Sequence, residues 1–404
     1  MRDFKNAKKC IFILIKWLFL SLFIGIVCGM TGALFSKAIE FVTEFRAQRG
    51  WILYLLPLGG VVSVFLYRLL KISDMGTNQV LASAHSDFKV SPKLAPAVFI
   101  GTVITHAFGG SAGREGAALQ LGGSLATLSL KVLKLEEKYK RVLILCGMGA
   151  LFSAVFGTPV GAAVFVLEVV HTKKAQLFSI FPVLLSSFTA FLTAVALGVK
   201  PERFTLHNIY SVNFDNLWKT AVISAAGAIV SMLFCKALHS AEKLFKKIIA
   251  NEFLRIAIGG AIIVVLTKIV GTNDYNGSGI NIIDNIFSNG QLNYEAFALK
   301  FVFTVITIAS GFKGGEIIPS FFIGSTLGGA IALLLGLDIS LGACVGMVSL
   351  FCGVTNCPIA SLVLSIEIFG IKGILFYLIS VIISFLASGK ANLYEEQNKS
   401  VEEI

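Results

Sequence analysis

Two acidic side chains lie beside glycines in strongly apolar parts of this 404-residue chain. The first, Glu115, belongs to the glycine-rich stretch 109–118, and no charged residue occurs between it and Lys131. A charge at the centre of a membrane helix costs about 2.5–3.5 kcal/mol even on a lenient insertion scale, so such residues usually face a cavity. The glycines indicate a helix that begins at membrane depth, where free backbone N–H groups and the helix dipole favour an anion. We therefore predict an anion site at Gly113, Arg114 and Gly116, with Glu115 as its titratable gate.

The alternative for Glu115 is a structural ion pair with Arg114. Adjacent residues on a helix do not face each other, so we expect no local neutralisation. An ionised carboxylate could then occupy the anion site itself. Once protonated it would have to leave, because helix N-termini favour negative charge. This mutual exclusion would couple anion movement to proton movement.

The second acid, Glu316, lies in the stretch 310–319, which is also rich in glycine. A second carboxyl group near the same anion path could carry the proton onward. The alternative is a neutral, buried acid held by backbone donors. Lys313 is either its counter-charge or a lysine that reaches toward the membrane interface.

The composition indicates a helical membrane protein with many spans. Hydrophobic residues make up 56% of the chain and charged residues 14%, against about 25% charged in soluble proteins. The net charge of +11 comes from basic clusters between apolar runs, at residues 2–9, 131–141 and 236–247. We interpret these clusters as cytoplasmic loops, so we predict no nucleic-acid partner. The seven cysteines form no CxxC pair and the five histidines are scattered, so we predict no metal and no cofactor.

Three features of the first half of the chain recur in the second half at nearly the same spacing. Gly113-Arg114-Glu115 matches Gly314-Gly315-Glu316, and the interval from Pro159 to Glu168 matches that from Pro358 to Glu367. Residues 74–77 likewise match residues 276–279. Repeats with helices interrupted by glycine or proline are typical of transporters whose site lies between the repeats. We predict membrane repeats at 1–200 and 217–404, a connecting loop at 201–216 and no soluble regulatory domain.

The symmetry of Glu168 and Glu367 favours a structural or interfacial role for both. His106 lies close to the first motif and could titrate near neutrality. We expect it to be an ordinary core histidine.

These motifs resemble those of the CLC chloride channels and anion/proton antiporters. Gly113-Arg114-Glu115-Gly116 is similar to the GREGP motif, with Ala117 in place of proline, and residues 314–319 are similar to GxFxP. Residues 74–78 fall where the family has GSGIP, and Tyr394 falls where it has an anion-coordinating tyrosine. The resemblance implies an all-α integral membrane bundle with inverted repeats and many tilted, half-length helices. It also implies a homodimer with one anion path in each subunit.

Three departures from these motifs resemble the fluoride-exporting bacterial branch of the family. Met75 stands in place of the chloride-binding serine, Val169 in place of the inner proton-transfer glutamate, and Glu316 at an apolar position of GxFxP. That branch commonly has a threonine where this chain has Ile318. The anion path implied by the resemblance consists of Met75, Gly76, Thr77, Asn78, Ile317, Ile318 and Tyr394. From the residues alone, Met75 could instead be a packing residue and Tyr394 an interfacial aromatic.

We therefore expect a fluoride/proton antiporter, not an enzyme, in the bacterial-type inner (plasma) membrane. Its partners would be fluoride, protons, the lipid bilayer and a second copy of the chain. The alternative on the same scaffold is a chloride/proton antiporter or a chloride channel. A receptor or scaffold without transport is the alternative of a different class.

Overall fold

The computed structural model describes residues 2–72, 76–85, 90–170, 176–204, 206, 210–389, 391–394 and 397. These residues form sixteen α-helices and no β-strand, which confirms the all-α fold. The helices of the first half are α1 (Arg2–Ala47), α2 (Leu56–Leu69), α3 (Thr77–His85), α4 (Leu94–Phe108), α5 (Glu115–Val132), α6 (Lys140–Phe156), α7 (Pro159–Val169) and α8 (Gln176–Ala196). Those of the second half are α9 (Phe214–Ile248), α10 (Glu252–Val270), α11 (Ile280–Asn289), α12 (Ala296–Ala309), α13 (Ile317–Leu335), α14 (Ile339–Thr355), α15 (Pro358–Phe369) and α16 (Ile374–Ser388).

The helices fall into long and short classes. Within the described residues, eight helical segments are long and apolar enough to cross a membrane. The shorter apolar helices are α4, α7, α12, α14 and α15. At 1.5 Å per residue, the 11 residues of α7 extend about 16 Å, roughly half of the 30 Å hydrocarbon core. The prediction of half-length helices is therefore confirmed.

Glycine, asparagine and proline set the predicted breaks between short helices. Gly157 ends α6 at φ 83°, and Pro159 is the first residue of α7. Asn356 ends α14 at φ 52°, and Pro358 begins α15. A left-handed residue stops one helix, while proline is tolerated in the first turn of the next.

Two of the predicted basic loops are helical. Residues 236–247 continue α9, and residues 2–9 belong to α1. Lysine, leucine and glutamate are good helix formers, so a membrane helix can continue past the apolar run that identifies it. Residues 131–141 do contain a connection, with one short 3₁₀ turn between α5 and α6. The predicted loop at 201–216 ends earlier, because α9 begins at Phe214. The division into two repeats remains a prediction.

In each half of the chain, glycines allow two consecutive helices to pack closely. A Cβ on Gly122 of α5 would lie 2.0 Å from the carbonyl oxygen of Gly147 on α6. A Cβ on Gly328 of α13 would lie 2.1 Å from the carbonyl oxygen of Gly342 on α14. In lipid, small residues permit this backbone approach, and van der Waals packing then stabilises the pair. One helix of each pair, α5 or α13, begins at a glycine motif, and its partner helix holds it in place.

Glu168 and Glu367 cap each other's helices. The carboxylate of Glu168, near the end of α7, accepts backbone hydrogen bonds from Ile359 (3.1 Å) and Ala360 (2.6 Å) at the start of α15. The carboxylate of Glu367 accepts the same two bonds, at 3.1 and 2.6 Å, from Val160 and Gly161 at the start of α7. Carboxylates at helix N-termini satisfy free N–H groups and complement the helix dipole. This geometry supports the structural role predicted for both glutamates.

Candidate functional site

The two glycine motifs meet through their backbones. Gly113 N–H donates to the Gly315 carbonyl at 2.7 Å, and Gly315 N–H donates to the Gly113 carbonyl at 2.8 Å. A Cβ on Gly315 would lie 2.4 Å from the nitrogen of Gly116, so a larger residue has no room there. We call this contact the glycine bridge. It brings the starts of α5 and α13 side by side.

Glu115 is the first residue of α5 and is fully buried. Its Oε2 accepts a hydrogen bond from the Arg114 backbone N–H at 3.0 Å, and its Oε1 lies 3.5 Å from Arg114 Nε. The expectation that these neighbours do not pair is therefore wrong. Arg114 precedes the helix, with φ −113°, so the helical rule for adjacent side chains does not apply to it. Arg114 also binds the carboxylate of Glu202 at 2.6 Å, so one guanidinium is shared by two acids.

Glu316 is the residue directly before α13, the position that Arg114 takes before α5, and it is half-buried. Its Oε2 is buried and has no hydrogen-bond partner among the described residues. A Cβ on Gly116 would lie 3.3 Å from this oxygen. The second carboxyl group therefore lies against the first turn of α5, close to Gly116.

Each of the two carboxyl groups faces its own cavity. A cavity of about 210 Å³, the Glu316 cavity, is lined by Glu316 and Arg255 among others. A cavity of about 390 Å³, the Glu115 cavity, is lined by Arg114, Glu115 and Ser278 among others. Helix α10 carries Arg255 near its start and ends eight residues before Ser278. Its 19 residues extend about 28 Å, so the cavities open toward opposite ends of a membrane-spanning helix.

Several of the predicted anion-path residues line the Glu316 cavity. They are Gly76, Thr77, Asn78 and Tyr394. The Tyr394 hydroxyl is buried and has no hydrogen-bond partner among the described residues, and neither has the side-chain oxygen of Asn78. Unpaired buried polar atoms are costly unless a ligand or water satisfies them. Met75 lies outside the described residues.

The remaining predicted residues lie at the glycine bridge and the start of α13. Ile317 and Ile318 are buried in its first turn, and Ile318 lines the Glu115 cavity. Neither offers a side-chain donor, so their possible contribution is through backbone N–H groups. The structure thus brings Glu316 and Tyr394 together in one cavity and places Glu115 and Arg114 in the other.

The structure gives definite positions to Lys313 and His106. Lys313 Nζ lies over the ring of Tyr67, 4.5 Å from its centroid, and Lys313 lines the Glu316 cavity. His106 is buried, and its Nδ1 contacts the Thr102 carbonyl at 2.9 Å. Its Nε2 has no hydrogen-bond partner among the described residues, so it is a partly satisfied core histidine beside the Glu115 cavity.

Sequence reasoning missed Lys300, which is completely buried in α12. Its ammonium donates to the carbonyls of Tyr275 (3.2 Å) and Gly277 (2.7 Å). Gly277 N–H in turn donates to the Gly110 carbonyl at 3.1 Å. Lys300 therefore holds the turn at 275–279 against the first glycine motif. The signal for it was a charge inside an apolar run, the same signal that identified Glu115.

Gln120 and Glu202 were also missed. Gln120 Nε2 donates to the Thr77 hydroxyl at 3.1 Å and lines the Glu316 cavity. Glu202 lies in the connection between α8 and α9 and binds Arg114. The sequence around these two residues does not identify them, because each contacts a partner that is distant in the chain and is brought close by the fold.

Comparison with known proteins identifies the family. A family model described as voltage gated chloride channel matches residues 59–389. A chloride/fluoride channel protein of Pseudomonas syringae pv. tomato is 35% identical over 393 residues, covering 95% of this chain and 86% of that protein. A crystal structure of a CLC-type fluoride/proton antiporter superposes with a TM-score of 0.91 at 34% identity, covering 96% of this chain and 98% of that one.

A slow cyanobacterial Cl⁻/H⁺ antiporter shares the fold, with a TM-score of 0.84 at 21% identity over 96% of this chain and 97% of that one. Together with the eight candidate spans, these similarities make the protein a multi-pass membrane protein. Since the family model covers most of the chain, and a relative above 30% identity covers nearly all of it, the chain belongs to the voltage-gated chloride channel (CLC) family.

Proposed function

We propose that this protein is a secondary active antiporter that exports fluoride in exchange for inward protons. The observation that carries the proposal is the placement of Glu115 and Glu316 next to the glycine bridge, each facing its own cavity. Two such carboxyl groups can take up and release protons on opposite sides of the membrane. The relative at 35% identity, named a chloride/fluoride channel protein, and the similar fluoride/proton antiporter structure support fluoride as the anion.

Glu115 acts as the gate in this proposal. Its ionised carboxylate is held by the Arg114 backbone N–H and guanidinium, at the N-terminus of α5. Protonation removes the charge that these groups attract, so the side chain leaves and frees positive potential for an anion. Anion and ionised carboxylate therefore exclude each other, which couples the two fluxes.

The anion path runs from the Glu316 cavity to the Glu115 cavity. Gly76, Thr77, Asn78 and Tyr394 would supply donors in the first cavity, with Met75 beside them in the sequence. The Gly113 N–H is already used in the glycine bridge. The free N–H groups at Gly116, Ile317 and Ile318 would bind the anion there, and Arg114 would bind it in the Glu115 cavity. Ile318 has no hydroxyl, so the proton must pass between Glu115 and Glu316 without a side-chain relay at that position.

We place the protein in the bacterial-type plasma membrane as a homodimer with one path in each subunit. Fluoride is the conjugate base of a weak acid, so it accumulates in a cell that faces an acidic exterior. Export driven by the returning protons removes it. This activity is transport without chemical conversion and needs no cofactor.

Selectivity is tested by measuring efflux from liposomes loaded with either fluoride or chloride. The proposal expects fluoride efflux at least about tenfold faster, equivalent to a difference of roughly 1.4 kcal/mol between the barriers. Chloride efflux as fast as fluoride efflux would favour the alternative, a chloride/proton antiporter or chloride channel. The name of the Pseudomonas syringae relative supports this alternative, because it includes both anions and the word channel.

A further inference from the structure

A third cavity, with a mostly basic set of charged residues, lies between α2 and α10. Its volume is about 150 Å³, and its lining includes Arg68, Arg255 and Lys313 together with Glu252 and Tyr67. We call it the α2–α10 groove. Glu252 is the one carboxylate among the described residues that line it, against three basic side chains. This excess of positive charge suits an anion.

The donors in the groove are incompletely used. Arg255 Nη1 donates to the Ile249 carbonyl at 3.2 Å, whereas Arg255 Nε is buried and has no hydrogen-bond partner among the described residues. Arg68 forms an ion pair with Glu252 and lies over the ring of Phe253, 4.6 Å from its centroid. A guanidinium presents several N–H donors in a planar arrangement that matches the oxygens of a phosphate. An unpaired buried donor is unfavourable, so a phosphate oxygen at Arg255 Nε would remove that cost.

The groove lies where a membrane helix pair ends. Arg68 is in the last turn of α2, and Glu252 is the first residue of α10. Their neighbours Leu69 and Leu254 are exposed, at 66% and 53%, as expected of side chains that face lipid. The basic end of α9 lies immediately before α10 in the chain, and the positive-inside rule assigns such lysines to the cytoplasmic side. Basic pockets between membrane helices on that side match the headgroups of anionic lipids.

We propose that the α2–α10 groove binds the phosphate of an anionic phospholipid headgroup, with Arg255 and Arg68 as its principal ligands. The shared chemistry is a phosphate oxyanion, which a lipid or free inorganic phosphate could supply. The site is separate from Glu115 and the glycine bridge, and it does not depend on the proposed transport activity. It adjoins the Glu316 cavity through Arg255 and Lys313, which line both.

The test uses the full chain in neutral detergent. Dioctanoyl phosphatidylglycerol, dioctanoyl phosphatidylcholine and sodium phosphate are titrated separately at constant ionic strength, and Tm is measured. A ligand that binds the folded state raises Tm in a concentration-dependent way. Phosphatidylglycerol should raise Tm, and Arg255→Gln should weaken its apparent affinity about tenfold, since a charge-assisted hydrogen bond is lost.

Glu252→Gln is an independent test, because it should change the affinity for phosphatidylglycerol in the opposite direction. It also keeps the proposal testable if the Arg255→Gln variant does not fold. It removes the one carboxylate of the described lining, so phosphatidylglycerol should bind several-fold more tightly. Lys372→Gln changes an exposed lysine between α15 and α16 and should leave the affinity unchanged.

A Tm response to phosphatidylglycerol but not to sodium phosphate would support the site and assign it to lipid. An equal response to sodium phosphate would support the anion site and assign it to free phosphate. Equal responses to phosphatidylcholine and phosphatidylglycerol would overturn the proposal. Wild-type affinity for phosphatidylglycerol in both the Arg255→Gln and Glu252→Gln variants would overturn it as well.

Discussion

At the scale of single residues, three buried polar atoms without hydrogen-bond partners line the proposed path. The hydroxyl of Tyr394, the Oε1 of Glu115 and the Oε2 of Glu316 are buried, and none has a hydrogen-bond partner among the described residues. Each such atom costs about 1–3 kcal/mol. Other buried polar atoms without a hydrogen-bond partner occur elsewhere in the described fold, for example on Ser21 and Arg141, but these three line the two cavities and are groups that can bind an anion or a proton in turn.

Removing the Tyr394 hydroxyl should therefore affect transport more than stability. In Tyr394→Phe we expect the KM for fluoride to rise about tenfold, because the anion loses one donor worth roughly 1.4 kcal/mol. Tm should change little, since the hydroxyl bonds to no described residue. Both quantities can be measured on the same purified variant, by liposome efflux and by thermal unfolding.

Tyr377→Phe is the matched control. The Tyr377 hydroxyl donates to the Gly370 carbonyl at 3.1 Å, so its loss should lower Tm and leave the KM for fluoride unchanged. If Tyr394→Phe behaved like this control, Tyr394 would be a packing residue and not an anion ligand.

Lys300 should be required for the fold of the turn that contacts the first glycine motif. In Lys300→Met two buried carbonyls lose their donor, and each loss costs about 1–3 kcal/mol. We expect Tm to fall clearly in thermal unfolding, while Lys268→Met, which changes an exposed lysine of α10, leaves it within error. Equal Tm values for the two variants would contradict the positioning role of Lys300.

The sequence predicted some of these residues and could not have predicted others. Glu115 and Glu316 were found because a charge beside glycine in an apolar run is unusual wherever it occurs. Glu202 was not found, since its importance comes from Arg114, which is 88 residues away in the chain. The pairing of Arg114 with Glu115 was missed because it depends on the backbone conformation of one residue before the helix.

At the scale of helices, the proline and glycine signals at residues 157–159 and 356–358 predicted correct helix ends, whereas two of the three basic clusters predicted wrong ones. The breaks before Pro159 and Pro358 depend on local backbone sterics, which a short sequence determines. The end of α9 is not determined by local sterics, because lysines occur both in loops and in helices that continue past the membrane surface. In this chain α9 continues through residues 236–247.

The reciprocal caps of α7 and α15 lead to a prediction about stability. Glu168→Ala and Glu367→Ala should each destabilise the protein by about 1–2 kcal/mol, the usual loss for a helix N-terminal cap. Tm of the detergent-solubilised variants measures this, and Glu136→Ala, at an exposed position before α6, is the control. The ratio of fluoride to protons transported should equal that of the wild type. A changed ratio in either capping variant would show that these glutamates take part in proton movement.

At the scale of the whole molecule, the arrangement is two cavities separated by the glycine bridge. The all-α membrane fold followed from composition and apolar runs, because the bilayer restricts the available architectures. The predicted repeat already suggested that the two motifs meet. It could not show that Glu115 and Glu316 face separate cavities, since this depends on how the sixteen described helices pack.

The most direct test of the central claim is proton movement driven by a fluoride gradient in liposomes containing the purified protein. The wild type should move protons against their own gradient when fluoride flows down its gradient. Glu115→Gln should fold normally, with Tm close to that of the wild type, and should move no protons, because its amide cannot exchange one. Proton movement by Glu115→Gln at the wild-type rate, or fluoride movement by the wild type without protons, would contradict the account.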